Sequence, residues 1–518
     1  MTETRGFGAV FFPLGVLATF SIIVIAPLAA ACWPEEGSLW NALPTLIGSG
    51  STWKLMGSSL IIATGASLGA TLLGAPAGHA LRYVSPRVRG ILLAGLFIPM
   101  AAPAHVMAVA WIELVGHGGL LASWIEIPFY NRAGVIFVLS CVYFPIPLFA
   151  TLAASRRIPP ALEEAARLHT GWIRAFLGVT VPLAATSTLA GGICVLLLTL
   201  LSFSIPSLFQ VPVYTSEIYE RFSATHDAAG AAAAGLCLLA FVSLIATIAV
   251  RRLRRHMGQL QHTPACMEPR QASRGAICLA STYCLALWAF TTMLPLLAVA
   301  VRALPPAACV AAWRTARGEI MCSLAVSVSV ATGGIVLAFL LARIRGGMLP
   351  LLSAAAFCVS GPVLGVGLIR FWNHDGLRGM VYDGLAILVV AGMARHLVFP
   401  HLGLSIASSQ LPACLEEAAA VHGVSKWRRT LCVVLPLLAP TLVLWWSLLF
   451  MLAWGELDAS VLVAPPGWTP VSVRLFSLMH YGPSSMVAAL SLVSTLFALG
   501  GAGGGFLAYR LLRRQVYG

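Results

Sequence analysis

The side chains able to do chemistry in this chain are few. Two carboxylate pairs stand in a repeated phrase: Glu163 and Glu164 in "LEEAARLHTGW" (162–172), Glu416 and Glu417 in "LEEAAAVHGVSKW" (415–427). Each pair is followed by two alanines, Ala165 and Ala166 or Ala418 and Ala419, and then by a glycine, Gly171 or Gly423. A third acidic group, Glu456 and Asp458, lies in "AWGELDAS", and Arg395 is a lone charge in the apolar "GMARHLVF". None of these has the form of a catalytic centre, and no catalytic residue is assigned. His, Asp and Glu form no cluster at one depth, and the twelve cysteines show no CxxC pair or metal-ligand spacing, so they read as small packing residues and no metal site is assigned. Only two lysines occur, Lys54 and Lys426, and neither follows the GxxxxG of a phosphate-cradling loop. The run "GGAGGG" (500–505) also lacks a following Lys and reads as close helix packing. What remains is electrostatics: carboxylates seated at the positive end of a helix, and charges held in an apolar medium.

The elements that position these residues are membrane helices. Mean hydropathy is +0.89 with only 10% charged residues, far outside the range of soluble chains. Apolar stretches of about 20 residues, enough to cross about 30 Å of hydrocarbon, recur throughout. They fall near 9–31, 56–80, 91–113, 133–153, 179–203, 229–250, 276–300, 320–342, 349–371, 384–405, 435–458 and 485–509. The fold class is therefore an all-α polytopic membrane protein of about twelve spans. The first stretch is too long for a secretory signal core and reads as a retained helix.

Orientation comes from Arg and Lys, which accumulate in cytoplasmic loops. Alternating crossings place 22 of the 32 basic residues on one side with six acids, including Arg5, Arg82, Arg156, Arg157, Arg270, Arg343, Arg345 and Arg510. That side is cytoplasmic and holds both termini and both acidic phrases. The formal charge of +14 is thus mostly a topology signal and gives no reason to invoke nucleic acid. The basic linker at 251–274 lies against anionic headgroups.

The phrases belong to an internal repeat. "FPIPLFATLAASRRIPPALEEAA" (144–166) aligns with "FPHLGLSIASSQLPACLEEAA" (399–419) after a small gap, and Pro182 answers Pro436. The chain divides into two halves of about six helices, 1–250 and 276–518, joined by a cytoplasmic linker at 251–275. Each half begins and ends inside, so the halves are parallel and a pseudo-twofold axis runs along the membrane normal. Pro159 or Pro160, and Pro412, can start a short helix whose first turn holds the glutamates at the positive end of its dipole. Gly171 and Gly423 end it, and Trp172 and Trp427 anchor the next segment at the membrane interface. For either copy alone an ordinary loop helix is the competing reading; two matched copies favour a docking knob.

These loops (159–182 and 412–436) resemble the EAA loop of inner-membrane permeases of binding-protein-dependent ABC importers. That pattern is Glu-Ala-Ala, three residues, Gly, nine residues, Ile-x-Leu-Pro. The second copy fits with Glu417, Ala418, Ala419, Gly423, Val433 in place of Ile, Leu435 and Pro436. In the first, Thr170 takes the glycine position, Gly171 comes one later and Pro182 one early, which should rotate the loop's exit. The resemblance covers both halves, as in fused double permeases, and 361–373 and 455–493 look most similar to the iron(III) members, relatives of thiamine, phosphonate and polyamine permeases. It implies a type I importer fold in the bacterial-type inner membrane. Two copies of a cytoplasmic ATPase, which binds ATP and Mg, would seat one coupling helix each, with a periplasmic or extracellular substrate-binding protein above. No cofactor is implied for this chain, and ferric iron is the expected cargo.

Candidate pathway residues come from polar groups inside spans. Glu456 and Asp458 line the pathway or sit in the outer headgroup zone; counting from the paired prolines, their first-half equivalents are Ser202 and Ser204. Arg395 snorkels, pairs with an acid or forms part of a gate. Glu113 reads as interfacial, and His105, near Met100 and Met107, as packing. A secondary transporter of twelve helices is the rival class; it calls for intramembrane acids and no cytoplasmic knobs.

Overall fold

The computed structural model describes residues 13–32, 38–124, 127–254, 273–304, 306–344, 348–376 and 378–517. Most of the 251–275 linker, with Arg270, lies outside the described residues, as do Arg5 and Arg345. Every regular element among the described residues is helical. The first half runs α1 (Pro13–Ala31), α2 (Ser38–Gly48), α3 (Gly50–Ala80), α4 (Pro86–Ala101), α5 (Ala104–Val115), α6 (Arg132–Tyr143), α7 (Pro145–Ser155), α8 (Pro160–Thr170), α9 (Trp172–Leu200), α10 (Ser204–Leu208), α11 (Tyr214–Ser223) and α12 (Ala228–Leu253). The second repeats that order without a partner for α2. It runs α13 (Arg274–Arg302), α14 (Cys309–Ala342), α15 (Met348–Phe357), α16 (Gly361–Trp372), α17 (Leu385–His396), α18 (Val398–Ser409), α19 (Ala413–Val421), α20 (Lys426–Trp454), α21 (Ser460–Val463), α22 (Val471–Tyr481) and α23 (Ser484–Gln515).

Among the described residues eight of these helices are long and apolar enough to cross a bilayer, or twelve if each of four bent pairs counts as one span. The expectation of about twelve spans holds when each pair counts as one, and the pairs add bends that it did not include. α4 and α5 meet at 92°, α6 and α7 at 42°, and their counterparts α15/α16 and α17/α18 at 107° and 52°. Proline accounts for the breaks: Pro103 caps α5, Pro145 opens α7, Pro362 is the second residue of α16 and Pro400 lies in the first turn of α18. Its missing N–H and its constraint on the preceding residue interrupt the ladder there. Hydropathy sums over both pieces and does not register the bend.

The breaks recur at equivalent places, and so do finer features. π turns interrupt α1 (Ser21–Ile25) and α13 (Ala289–Met293), then α9 (Phe176–Thr180) and α20 (Thr430–Val434). The gap in the sequence alignment disappears, because α7 and α18 start at matching points and Pro147, not Pro145, answers Pro400. Within each half α3, α7 and α9, or α14, α18 and α20, pack side by side. The first helix of each half crosses to the other: α1 packs along α16 and α13 along α5. Gly367 permits the first crossing, since a side chain there would meet the Pro27 carbonyl. In the second, Arg302 Nε lies 3.3 Å from Glu113 Oε2, so Glu113 is ion-paired at the crossing.

The glycine run on α23 packs at two of its positions. A Cβ at Gly501 would strike the Phe450 ring and one at Gly505 the Ser447 hydroxyl, whereas Gly500, Gly503 and Gly504 face open space. Spacing of four residues puts Gly501 and Gly505 on one face against α20. Gly505→Leu is therefore expected to cost about 1–3 kcal/mol through overpacking and to lower the thermal midpoint in detergent. Gly503→Leu should leave the midpoint unchanged.

Candidate functional site

The first acidic phrase forms α8, with Pro159 as its N-cap and Pro160 as its first residue. Only Glu163 falls in the first turn; Glu164 is one residue further and exposed, which corrects the expectation for both glutamates. Glu163 is 2% exposed, and its carboxylate takes Arg82 Nη2 at 2.6 and 2.7 Å. The Thr180 hydroxyl also donates to it, and Arg167 lies at 3.7 Å. Arg82, at the end of α3, is itself buried and packs over the Tyr83 ring at 4.7 Å. Thr180 closes the π turn in α9. One carboxylate therefore ties α8 to two transmembrane helices.

The second phrase forms α19, capped by Pro412, with Glu416 in the first turn and Glu417 exposed beyond it. Arg343, at the end of α14, grips Glu416 through both terminal nitrogens at 2.9 and 2.8 Å. This fork is part-exposed, with side chains 29% and 35% accessible. Val434 stands where Thr180 stands in the first half, so the third contact is replaced by an apolar residue. The exits differ too. α8 passes at Gly171 (φ 77°) directly into α9, whereas α19 leads into a turn at His422–Ser425 through Gly423 (φ 73°). Both glycines occupy the left-handed region, where a Cβ is strained.

The outward faces of the two helices match. Ala165 and Ala418 are exposed, Ala166 and Ala419 half-buried, and Leu168 and Val421, at equivalent positions, are each 86% exposed. Sequence reasoning missed this apolar pair because a Leu or Val does not stand out in so apolar a chain. Arg82 and Arg343 were read only as topology charges, although both close the second span of their half. Trp172 and Trp427, at the roots of α9 and α20, are 46% and 56% exposed.

The pathway candidates divide. Glu456 and Asp458 lie just past the end of α20 and are 9% and 13% accessible at the side chain, enclosed by protein. They meet Arg395, which lies at the bend between the 12-residue α17 and the 12-residue α18 and so near the middle of that broken span. Arg395 donates to the Val359 carbonyl at 2.8 Å, and lies 3.4 Å from Asp458 Oδ2 and 3.8 Å from Glu456 Oε2. Of the alternatives for Arg395, pairing describes its geometry. Glu456 also meets His396 Nε2 at 3.0 Å and accepts from the Ala459 amide at 2.9 Å. Asp458 Oδ1 accepts from the Ser204 amide of the first half at 3.1 Å. Asp458 thus meets the first half through the Ser204 amide, the Ser204 side chain and the Phe203 main chain. Ser202 is buried nearby, and its carbonyl accepts from Thr215. His105 is buried within α5, and its Nε2 has no hydrogen-bond partner among the described residues. No group of three or more potential metal ligands occurs among the described residues.

Residues 70–259 match the family model described as binding-protein-dependent transport system inner membrane component. The chain is 32% identical over 136 residues to the putative 2-aminoethylphosphonate transport system permease protein PhnV of Salmonella typhi, covering 26% of this chain and 51% of that protein. Its counterpart in Salmonella typhimurium is 31% identical over the same shares. A probable molybdenum ABC transporter permease protein of Haloferax volcanii is 28% identical over 179 residues, 34% of this chain and 64% of that protein. The chain spans about half the length of the Salmonella relatives it matches.

Proposed function

We propose that this chain is a binding-protein-dependent ABC importer permease and that it forms the whole alternating-access pathway of an ATP-driven importer in the inner membrane. The observation that carries the reading is the pair of arginine-anchored helices, α8 and α19, at equivalent places in the two halves. Each is a rigid lever: a carboxylate in its first turn fixes it to the end of a transmembrane helix, and an apolar tip points outward. Each tip seats in one of two ATPase subunits, which hold ATP and Mg and close on binding nucleotide. Closure draws α8 and α19 together and turns the pathway toward a substrate-binding protein on the opposite face. Both termini and the linker then lie on the ATPase side. The permease breaks no bond itself.

The cargo proposed is a small oxyanion of the phosphonate or molybdate class. Ferric iron, expected from 361–373 and 455–493, gains nothing from relatives whose names give 2-aminoethylphosphonate and molybdenum. The coupling role is tested by purification from native membranes with and without Glu417→Arg. An ATPase subunit is expected with the unaltered chain, and the substitution, on an exposed side chain, should reduce its recovery at least fivefold without changing the yield of permease. Equal recovery would remove α19 from the interface.

A further inference from the structure

We propose that Arg395 is the group that recognises anionic cargo in the pathway, and that Asp458 is an internal carboxylate that occupies it while the pathway is closed. The inference rests on the importer reading and names the chemistry of its pathway.

The two acids around Arg395 are not equivalent. Glu456 is satisfied elsewhere, one oxygen on His396 and the other on the Ala459 amide, and it stands 3.8 Å from the guanidinium. Asp458 makes only a long contact to Arg395, 3.4 Å, while the first half holds it through the Ser204 amide at 3.1 Å, the Ser204 side chain and the Phe203 main chain. A saturated guanidinium–carboxylate contact measures about 2.7–2.9 Å, so this pair retains capacity to exchange. What fixes Arg395 is the neutral Val359 carbonyl at 2.8 Å, beside the 107° bend between α15 and α16. The cation is thus held in place by a carbonyl and neutralised by a partner that can leave.

That partner also bridges the halves. Asp458 belongs to the second half and Ser204 to the first, so separating them breaks the amide contact and frees Asp458 to withdraw. With Asp458 withdrawn the guanidinium keeps, of its two acids, only Glu456, 3.8 Å away and committed to His396 and Ala459, and a phosphonate or molybdate oxygen matches its open fork as a carboxylate does. The anion enters as Asp458 leaves, and Asp458 returns as the anion departs. The machinery exists once: Val142 stands at the first-half position of Arg395, and Ser202 and Ser204 at those of the acids. One site between the halves serves one cargo per cycle, and Arg395, with Glu456 held away by His396 and Ala459, presents its open fork to an anion and not to a cation.

Two assays test this. Liposomes carrying the permease with its ATPase and binding protein are offered radiolabelled 2-aminoethylphosphonate and molybdate. Arg395→Gln should lower initial uptake of whichever anion enters by at least tenfold, with Arg395→Lys intermediate; uptake by Arg395→Gln within twofold of the unaltered protein would overturn the proposal. The second assay needs neither ATP nor partners. Liposomes holding Asp458→Asn, which keeps the acceptor for Ser204 but not the charge, are loaded with phosphate, molybdate and rubidium. Anion efflux should rise at least threefold over the unaltered chain with rubidium unchanged, and Arg395→Gln added to Asp458→Asn should abolish the rise. No rise, or an equal rise for rubidium, would overturn the gate. An unaltered complex that hydrolyses no ATP and imports neither anion would sink the importer reading, and the efflux assay would still decide the role of Arg395.

Discussion

Arg82→Ala is expected to destabilise the protein more than any other single change at the two loops, by about 3–5 kcal/mol, because it removes the nearest counter-charge of a buried carboxylate. Glu163 is 2% exposed and takes its two short contacts from that one guanidinium nitrogen. Thr180 and the distant Arg167 do not replace it. Thermal unfolding in detergent should show the loss, and limited proteolysis should cut first around 159–171 as α8 lifts from α3 and α9. Arg343→Ala is the internal comparison. Its pair with Glu416 is about one-third exposed, and water compensates the stranded carboxylate, so the expected loss is about 0–1 kcal/mol. Replacing both members of the first pair, as Arg82→Met with Glu163→Leu, should recover much of the stability, since an apolar pair needs no desolvation of charge. Equal losses for Arg82→Ala and Arg343→Ala would contradict the difference in burial on which this expectation stands.

Leu168→Asp with Val421→Asp is expected to abolish ATPase binding while leaving the permease folded. Each apolar tip is 86% exposed, so the substitution removes no packing within the chain. Burying a side chain of this size against a partner contributes about 1.5–3 kcal/mol, and a carboxylate placed in the same apolar groove opposes docking further. Two such tips together should weaken assembly by a factor of about 1,000 or more, by the relation of about 1.4 kcal/mol per tenfold. Co-purification and light scattering read the two halves of this expectation. Each single variant should retain partial assembly, and a double variant that still carries its ATPase would show that α8 and α19 do not dock by their tips.

The sequence made the membrane class and the duplication legible, because apolar length and a repeated acidic phrase are local signals. It also placed the start and end of α8 and α19, since a proline before and a glycine after a short run act locally. The bends at Pro103 and Pro145 were legible as prolines but not as angles, because a proline in a span can kink or merely cap, and the neighbouring helices decide which. The anchors at Arg82 and Arg343 were hidden by distance: 81 and 73 residues separate them from Glu163 and Glu416, and a cytoplasmic arginine already has a topological explanation. The crossing of α1 and α13 to the opposite halves left no signal in either half alone. Counting along the repeat pairs Ser204 with Asp458, but a count cannot tell that the Ser204 and Phe203 main chain joins the contact.

The central claim is that one chain carries two docking levers for an ATPase, and native mass spectrometry of the complex purified from its own membranes tests it most directly. Two ATPase subunits per permease chain are expected, lost together in Leu168→Asp/Val421→Asp. A permease that emerges alone and moves solute in vesicles under an ion gradient, without ATP, would contradict the claim and make the protein a secondary transporter.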